Sequence, residues 1–244
     1  MDSQRNTARI AGVWFVLTFV FSIPAVLLYQ PLLKHADYIV GAGADKRIFV
    51  GALLEILLLI ANIATAVVLF PILKRRSESI ALGYVACRIM ESAIIVAGIV
   101  SVLSVVTLRQ DIGGAGAPAA SLDGISRALV AFHDWTFLLG PQFCAGLGNG
   151  ILLGYLMYTS GLVPRRMALL GVIGGPLAFL GGTLVLFGTF EAGSAPLFLM
   201  TALEIAWEAS LGIYLIVKGF RTTSTEPIDI RHVPVEPAPA IRSA

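Results

Sequence analysis

Residues 48–73 read IFVGALLEILLLIANIATAVVLFPIL, a stretch in which Glu55 is the one charged side chain. The stretch is longer than the roughly 20 mostly apolar residues that a helix needs to cross the hydrocarbon core of a bilayer. A soluble strand is shorter, and the alternation of apolar and polar residues that marks a strand is missing. Because backbone groups in lipid must be hydrogen-bonded within their own segment, the stretch predicts a transmembrane helix.

Charged residues separate five further stretches of the same kind along the chain. The six predicted spans are about 10–33, 48–73, 79–108, 128–161, 167–189 and 195–217. The first is longer than the apolar part of a signal peptide and lacks a small-residue cleavage site, so it is interpreted as a retained span. The sequence therefore predicts an all-α, six-span transmembrane bundle over residues 1–221.

The composition agrees with a membrane protein and excludes several other classes. Hydrophobic residues make up 57% of the chain and charged residues 13%, against about 25% charged in a typical soluble domain. A net charge of +2 without a long basic block gives no reason to expect a nucleic-acid partner. Cys87 and Cys144 both lie in apolar segments, so no disulfide framework is predicted.

Lysine and arginine collect at alternate ends of the predicted spans, which sets the orientation. The more basic set comprises Arg5, Arg9, Lys74, Arg75, Arg76, Arg165, Arg166, Lys218 and Arg221. If this set is inside, both termini are cytoplasmic. Residues 222–244 are proline-rich without a core-forming pattern, and they are predicted to form a disordered cytoplasmic tail.

Proline and glycine predict irregular, closely packed helices. Prolines fall inside the first, fourth and fifth spans, at Pro24, Pro141 and Pro176. Each removes an intrahelical hydrogen bond, so the bundle is predicted to contain Pro/Gly-interrupted helices. Glycines recur every four residues at Gly146, Gly150 and Gly154, and again at Gly171 and Gly175. That spacing lines one helix face with small residues and lets a second helix approach closely.

The strongest functional hint is a set of ionisable residues inside the spans: Glu55, Arg88, Glu91, His133, Asp134, Glu204 and Glu208. A charge at the centre of a membrane helix costs about 2.5–3.5 kcal/mol on insertion scales, so such groups usually face a bundle interior and serve a function. Glu204 and Glu208 are four residues apart and share a helix face, where they can repel each other or bind one cation. Arg88 and Glu91 are three apart, so they can pair along their own helix or reach across to the glutamate pair.

These residues lead to the hypothesis of one interior polar cluster that is open to the outside and binds a ligand or ion or relays protons. Its members are Glu55, Arg88, Glu91, Glu204 and Glu208, with His133, Asp134 and Gln142 at its mouth. In the alternative interpretation, the same groups only hydrogen-bond the helices together.

Catalytic motifs are not found in the sequence. HExxH, paired-cysteine, GxSxG and phosphate-loop patterns are missing, so no catalytic residue, bound metal or cofactor is predicted. A zinc hydrolase built on His133, Asp134 and a glutamate stays open as an alternative, although the usual ligand spacing is missing. A non-enzymatic role is favoured without excluding an enzyme.

Several segments are distinctive when they are taken together. They are RIAGVWFVLTFV (9–20), VLFPILKRRSESIALGYVACRIME (68–91), HDWTFLLGP (133–141) and GYLMYTSGLVPRRMALLGVIGGPL (154–177). As a set they resemble the bacterial domain-of-unknown-function family 4386 of small multi-pass membrane proteins. The resemblance covers roughly residues 9–220 and implies a single-domain helical bundle in a bacterial plasma membrane. It implies no activity and supplies no catalytic residue.

Three functions follow as hypotheses. The first is a small carrier, or a proton- or ion-coupled protein, that uses the interior carboxylates, because broken helices beside ionisable groups suit a site at the membrane midplane. The second is a non-enzymatic sensor, accessory or interaction protein, and the third is a membrane-embedded hydrolase acting on lipid. The expected partners are the bilayer and a small molecule or ion, and the sequence leaves the oligomeric state open.

Overall fold

The computed structural model describes residues 2–34, 38, 43–112 and 119–221, and these form helices joined by short connections. The helices are α1 (Asp2–Lys34), α2 (Asp45–Leu73), α3 (Glu78–Ile112), α4 (Ala119–Phe137), α5 (Gly154–Ser160), α6 (Arg165–Leu186) and α7 (Ala195–Val217). Two π-helical segments, Leu138–Cys144 and Gly146–Leu153, join α4 to α5. The part of the chain so described contains no strand. The predicted tail at 222–244 lies outside the described residues.

Among the described residues, six helical stretches are long and apolar enough to cross a membrane, which confirms the prediction of an all-α chain with six helices of spanning length. Their bounds are Ser3–Lys34, Asp45–Leu73, Glu78–Asp111, Asp123–Ser160, Arg165–Leu186 and Ala195–Val217. The first and fourth begin earlier than the predicted 10 and 128, because each helix continues past its apolar part into polar residues. Large apolar side chains such as Ile23, Leu53 and Val100 are exposed on the outer faces. These faces suit contact with lipid.

The six spans are arranged as a closed ring. Each span packs against the next in chain order, and α7 returns to pack against α1. The fourth span, Asp123–Ser160, contacts α3 on one side and α6 on the other. This order brings one face of every span towards a shared interior.

Glycines allow the fourth span and α6 to approach closely, as their four-residue spacing predicts. A Cβ placed on Gly150 would lie 2.3 Å from the Cα of Gly175, and one on Gly154 would lie 3.1 Å from the carbonyl carbon of Gly171. Side chains at these positions would therefore push the two helices apart.

The prolines have different local effects. Helices α1 and α6 continue through Pro24 and Pro176, whereas Pro141 lies in the first π-helical segment. Proline has no backbone N–H to donate, so a change from α-helical to i→i+5 hydrogen bonding near Pro141 has a local cause. The fourth span is thus the irregular member of the ring.

Two apolar clusters fill the interior at different depths. The larger cluster draws on all six spans near the end of the bundle where α1 begins, here called the N-terminal end; its members include Ala11, Leu69, Tyr84, Leu156, Ala168 and Leu211. The smaller cluster lies towards the opposite end and is built mainly on α1, α2 and α3; its members include Leu32, Ile48, Leu58, Ile95 and Val105. Along α2 and α3, buried polar residues lie between these two clusters.

Candidate functional site

A central polar layer crosses the bundle between the two apolar clusters. We define it by the polar side chains of four spans, namely Asn62, Thr65, Arg88, Glu91, Asn149, Glu204 and Glu208. On α2, Asn62 follows Leu58 of the smaller cluster and precedes Ala66 of the larger one. Leu58, Asn62 and Ala66 are spaced four residues apart, so their side chains lie on one face of α2. Asn62 therefore points to the interior together with the apolar residues one turn before and after it.

Arg88, Glu91 and Asn62 form a hydrogen-bonded network between α2 and α3. Arg88 Nη1 donates to Glu91 Oε2 at 2.7 Å, and its Nη2 donates to the side-chain oxygen of Asn62 at 2.5 Å. Arg88 Nε also donates to the backbone oxygen of Asn62 at 3.5 Å. Asn62 Nδ2 in turn donates to Glu91 Oε1 at 3.3 Å. The buried cation is therefore matched by a carboxylate and an amide, as a charge in low dielectric requires.

Asn149 connects the fourth span to α7. Its Nδ2 donates to Glu208 Oε1, and its backbone oxygen accepts a 2.9 Å hydrogen bond from Trp207 Nε1. Trp207 is fully buried. Asn149 lies in the second π-helical segment, so the irregular part of the fourth span is held to α7 through both its side chain and its backbone.

Glu204 differs from the other members of the layer because its carboxylate lacks a partner among the described residues. The residue is 4% exposed, and both side-chain oxygens are buried without a hydrogen bond. The side-chain oxygen of Asn149 is also buried and unpaired. Burying a polar group without a partner costs roughly 1–3 kcal/mol, and more for a charged group. The α7 side of the layer is therefore unsatisfied, whereas the α2–α3 side is satisfied.

The charges of the layer do not balance if all its acids are ionised. Arg88 is a single positive charge, while Glu91, Glu204 and Glu208 would together carry three negative charges. Glu208, Arg88 and Glu91 all lie close enough to Glu204 to act on it electrostatically. The net charge would then be −2, so protons or other cations must offset it, because uncompensated charges are strongly disfavoured in a low-dielectric interior.

Glu55 lies apart from this network. It accepts a 2.9 Å hydrogen bond from the Tyr29 hydroxyl, and the Tyr29 ring meets the His133 ring edge to face at 5.7 Å between centroids. Glu55 is seven residues from Asn62 on α2, which corresponds to about 10 Å along a helix axis. The structure therefore separates Glu55 and His133 from Arg88, Glu91, Glu204 and Glu208 as a second polar group nearer the opposite end.

The three residues predicted at the mouth occupy different places. His133 is buried beside Tyr29, and its Nδ1 is 3.7 Å from Asp134 Oδ1. Asp134 has a 61% exposed side chain, and it lines a groove of about 280 Å³ between α1 and α4. Gln142 Nε2 instead donates to the backbone oxygen of Ala178 at 2.7 Å and to Thr201 Oγ1 at 3.0 Å. Gln142 thus joins the first π-helical segment to α6 and α7.

Within the described ranges, no three histidine, cysteine, aspartate or glutamate side chains converge as a metal site would require. A second groove, of about 380 Å³ between α3 and α4, is lined almost entirely by apolar residues. The acids of the polar layer line neither of these two grooves.

Among the residues of these networks that sequence reasoning missed, three donate hydrogen bonds to glutamates within the spans, namely Tyr29, Asn62 and Asn149. The sequence candidates were ionisable groups and a single amide, Gln142, whereas two of the three missed residues are amides. A usable signal was present, since an amide within an apolar span also needs a hydrogen-bonding partner. Searching for every strong hydrogen-bonding group would have found them.

The fold and the buried layer define a multi-pass α-helical membrane protein with a polar interior. A comparison of the sequence with models of known protein families identifies the family within this class. The chain belongs to the family described as a domain of unknown function, DUF4386, which it matches over residues 10–219. No curated protein and no solved structure matches the chain.

Proposed function

We propose that this protein is a small carrier whose transport step is coupled to a proton or another cation at the central polar layer. The observation that carries the proposal is the Glu204 carboxylate, which is buried at mid-bundle with both oxygens unpaired. A carboxylate in this position is stable only when it holds a proton or a cation. Binding and release of that ion would change the charge of the layer, and such a change of charge can couple to a change of conformation.

The packing around the layer supports access from the end opposite to the N-terminal end. The larger apolar cluster closes the N-terminal end with residues from all six spans. The smaller cluster is built mainly on the first three helices, and α6 and α7 are joined to the fourth span at that depth by polar contacts of Gln142. Among the described residues, the opposite end is thus divided into two halves that share less apolar packing.

The proposed orientation places the N-terminal end in the cytoplasm of a bacterium, with the protein in the plasma membrane. The charge distribution supports it, because Lys74, Arg75 and Arg76 between α2 and α3 and the Arg165–Arg166 pair at the start of α6 lie at that end. Under the positive-inside rule these basic connections are cytoplasmic. The path to the polar layer would then open to the outside. The π-helical segments and Pro141 in the fourth span suit a broken helix at a midplane transport site.

Ion flux in proteoliposomes tests this function. Purified protein is reconstituted into liposomes that contain a pH-sensitive dye in one set and a sodium-sensitive dye in another. A potassium gradient with valinomycin then imposes a negative interior potential, with and without mixtures of cationic, anionic and neutral organic solutes. We expect ion entry that depends on the protein and is lost in Glu204→Gln. Glu191→Gln is the matched control, because it makes the same chemical change at an exposed position.

Two results would contradict the proposal. Folded wild-type protein that moves neither ion under any of these gradients, and shows no solute counterflow, would leave the layer as hydrogen-bonded packing in an accessory or interaction protein. Flux that is equal in wild type and Glu204→Gln would remove Glu204 from the coupling step.

A further inference from the structure

The unpaired side-chain atoms of Glu204 and Asn149 are all acceptors. They are the two carboxylate oxygens of Glu204 and the side-chain oxygen of Asn149, each buried without a partner. The Asn149 amide has its orientation set by Glu208, since its Nδ2 donates to that carboxylate. An ionised carboxylate and an amide oxygen have no hydrogen to donate. None of the described side chains donates to these three oxygens.

We propose that Glu204 is a proton-binding residue whose neutral carboxylic acid donates its hydrogen to the side-chain oxygen of Asn149. The inference rests on the proposed function, and it narrows the coupling ion to a proton. Uptake of one proton converts a buried carboxylate into an acid with one O–H donor. That single change gives the side-chain oxygen of Asn149 a donor and removes a negative charge, and it leaves one neutral carbonyl oxygen of Glu204 unpaired.

Both groups lie where the fourth span meets α7. Asn149 precedes Gly150, and a Cβ on Gly150 would lie 2.5 Å from Glu204 Oε2. The Asn149 side chain reaches Glu208, which lies one helical turn beyond Glu204 on the same face of α7. The carboxyl group of Glu204 and the amide of Asn149 therefore occupy the same seam between the fourth span and α7.

The groups that surround Glu204 leave it as the one that takes the proton. Glu208 on the same helix and Arg88 and Glu91 on α3 are close enough to act on it electrostatically. Helix α6 presents the backbone of Gly174, where an added Cβ would lie 2.7 Å from Glu204 N. Arg88 is already engaged, because each of its three side-chain nitrogens donates to Asn62 or Glu91. A metal ion would require several converging ligands, whereas a proton needs no coordination shell.

Infrared difference spectroscopy of the reconstituted protein tests the protonation state directly. A carboxylic acid has a carbonyl band that is well separated from the bands of a carboxylate. We expect the wild-type minus Glu204→Gln spectrum at neutral pH, well above the ordinary glutamate pKa of about 4.3, to contain this acid band. Glu208→Gln and Glu191→Gln should both retain it. Size-exclusion profiles check that each variant is folded, and Glu204→Asp, which should shift the band, replaces Glu204→Gln if the latter fails this check.

The outcomes separate this inference from the proposed function. A difference spectrum with carboxylate bands alone at neutral pH would overturn proton binding at Glu204, even if sodium-driven flux showed that the carrier function holds. An acid band assigned to Glu204 in a protein without ion flux would support proton binding and contradict the coupling role. An acid band that persists unchanged in Glu204→Gln would assign it to another residue and overturn the inference.

Discussion

Replacing Arg88 with methionine should strongly destabilise the bundle. The change removes the 2.7 Å hydrogen bond to Glu91 and two hydrogen bonds to Asn62, of 2.5 and 3.5 Å. Glu91 would keep only the longer 3.3 Å hydrogen bond from Asn62 Nδ2. Because Glu91 is only 5% exposed, water would not replace the lost partner. Breaking a buried ion pair by removing one partner costs about 3–5 kcal/mol, because the remaining charge is left uncompensated. We expect a loss of unfolding free energy in that range.

A second variant separates the loss of packing from the loss of charge balance. Combining Arg88→Met with Glu91→Leu removes both charges, and buried ion pairs are often replaced by apolar residues at little net cost. Asn62 then loses its partners, which costs about 1–3 kcal/mol. The double variant should therefore be more stable than Arg88→Met alone, although it has lost more polar contacts.

The unfolding free energy can be measured in detergent micelles by following tryptophan fluorescence. Trp207 is fully buried and hydrogen-bonded to Asn149, so it reports on the layer itself. Arg127→Met is the control, since Arg127 pairs with Asp123 while its side chain is 67% exposed. Exposed pairs contribute about 0.2–1 kcal/mol. If Arg88→Met cost no more than this control, or if the double variant were the less stable one, the charge-balance argument would be refuted.

Two further predictions concern the packing of the helices and the connection between α1 and α2. Gly175→Leu should destabilise the folded bundle by at least roughly 1–3 kcal/mol, the usual cost of overpacking, because even its Cβ would lie 2.5 Å from the Gly146 carbonyl oxygen. Gly124→Ala is the control, because the space around Gly124 is open. In a thermal-unfolding assay the control should be as stable as the wild type or more stable. Burial, and then the hydrogen bond to the Asp45 carboxylate, raise the pKa of Tyr38. The raised pKa stabilises the folded protein fully at pH values below the ordinary tyrosine pKa of about 10. This stability is lost as the pH rises through the pKa that Tyr38 has in the folded protein. In a plot of melting temperature against pH, Tyr38→Phe should therefore show a smaller decrease at alkaline pH than the wild type.

The spans were predictable because hydropathy is a property of consecutive residues. The pairing of Arg88 with Glu91 was also within reach, since residues three apart on a helix are neighbours, and the structure adopts this pairing along α3. Partners on other helices depend on how each helix is rotated about its axis. Asn62 is 26 residues from Arg88 along the chain, and spacing within one helix says nothing about such a contact.

The position of Glu55 shows a different limit. Glu55 and Asn62 are seven residues apart, so they lie on nearly the same face of α2 and a prediction based on direction alone groups them. Their separation along the helix axis of about 10 Å decides which partners each can reach. Glu55 accordingly contacts Tyr29, whereas Asn62 contacts Arg88 and Glu91. Depth and direction must be considered together to divide buried charges into groups.

The two sides of the polar layer differ in how well they fit a packing role and the proposed transport role. A layer that only joined helices would be most stable with every group paired, because a partly satisfied buried network is less favourable than an apolar one. The α2–α3 side meets this condition through Arg88, Glu91 and Asn62. The α7 side does not, since Glu204 has no donor and leucine there would avoid the cost of an unpaired acid. A cost concentrated at Glu204 and the neighbouring Asn149 oxygen is expected where an ion must bind and leave again, because a permanently satisfied carboxylate would have no affinity left for it.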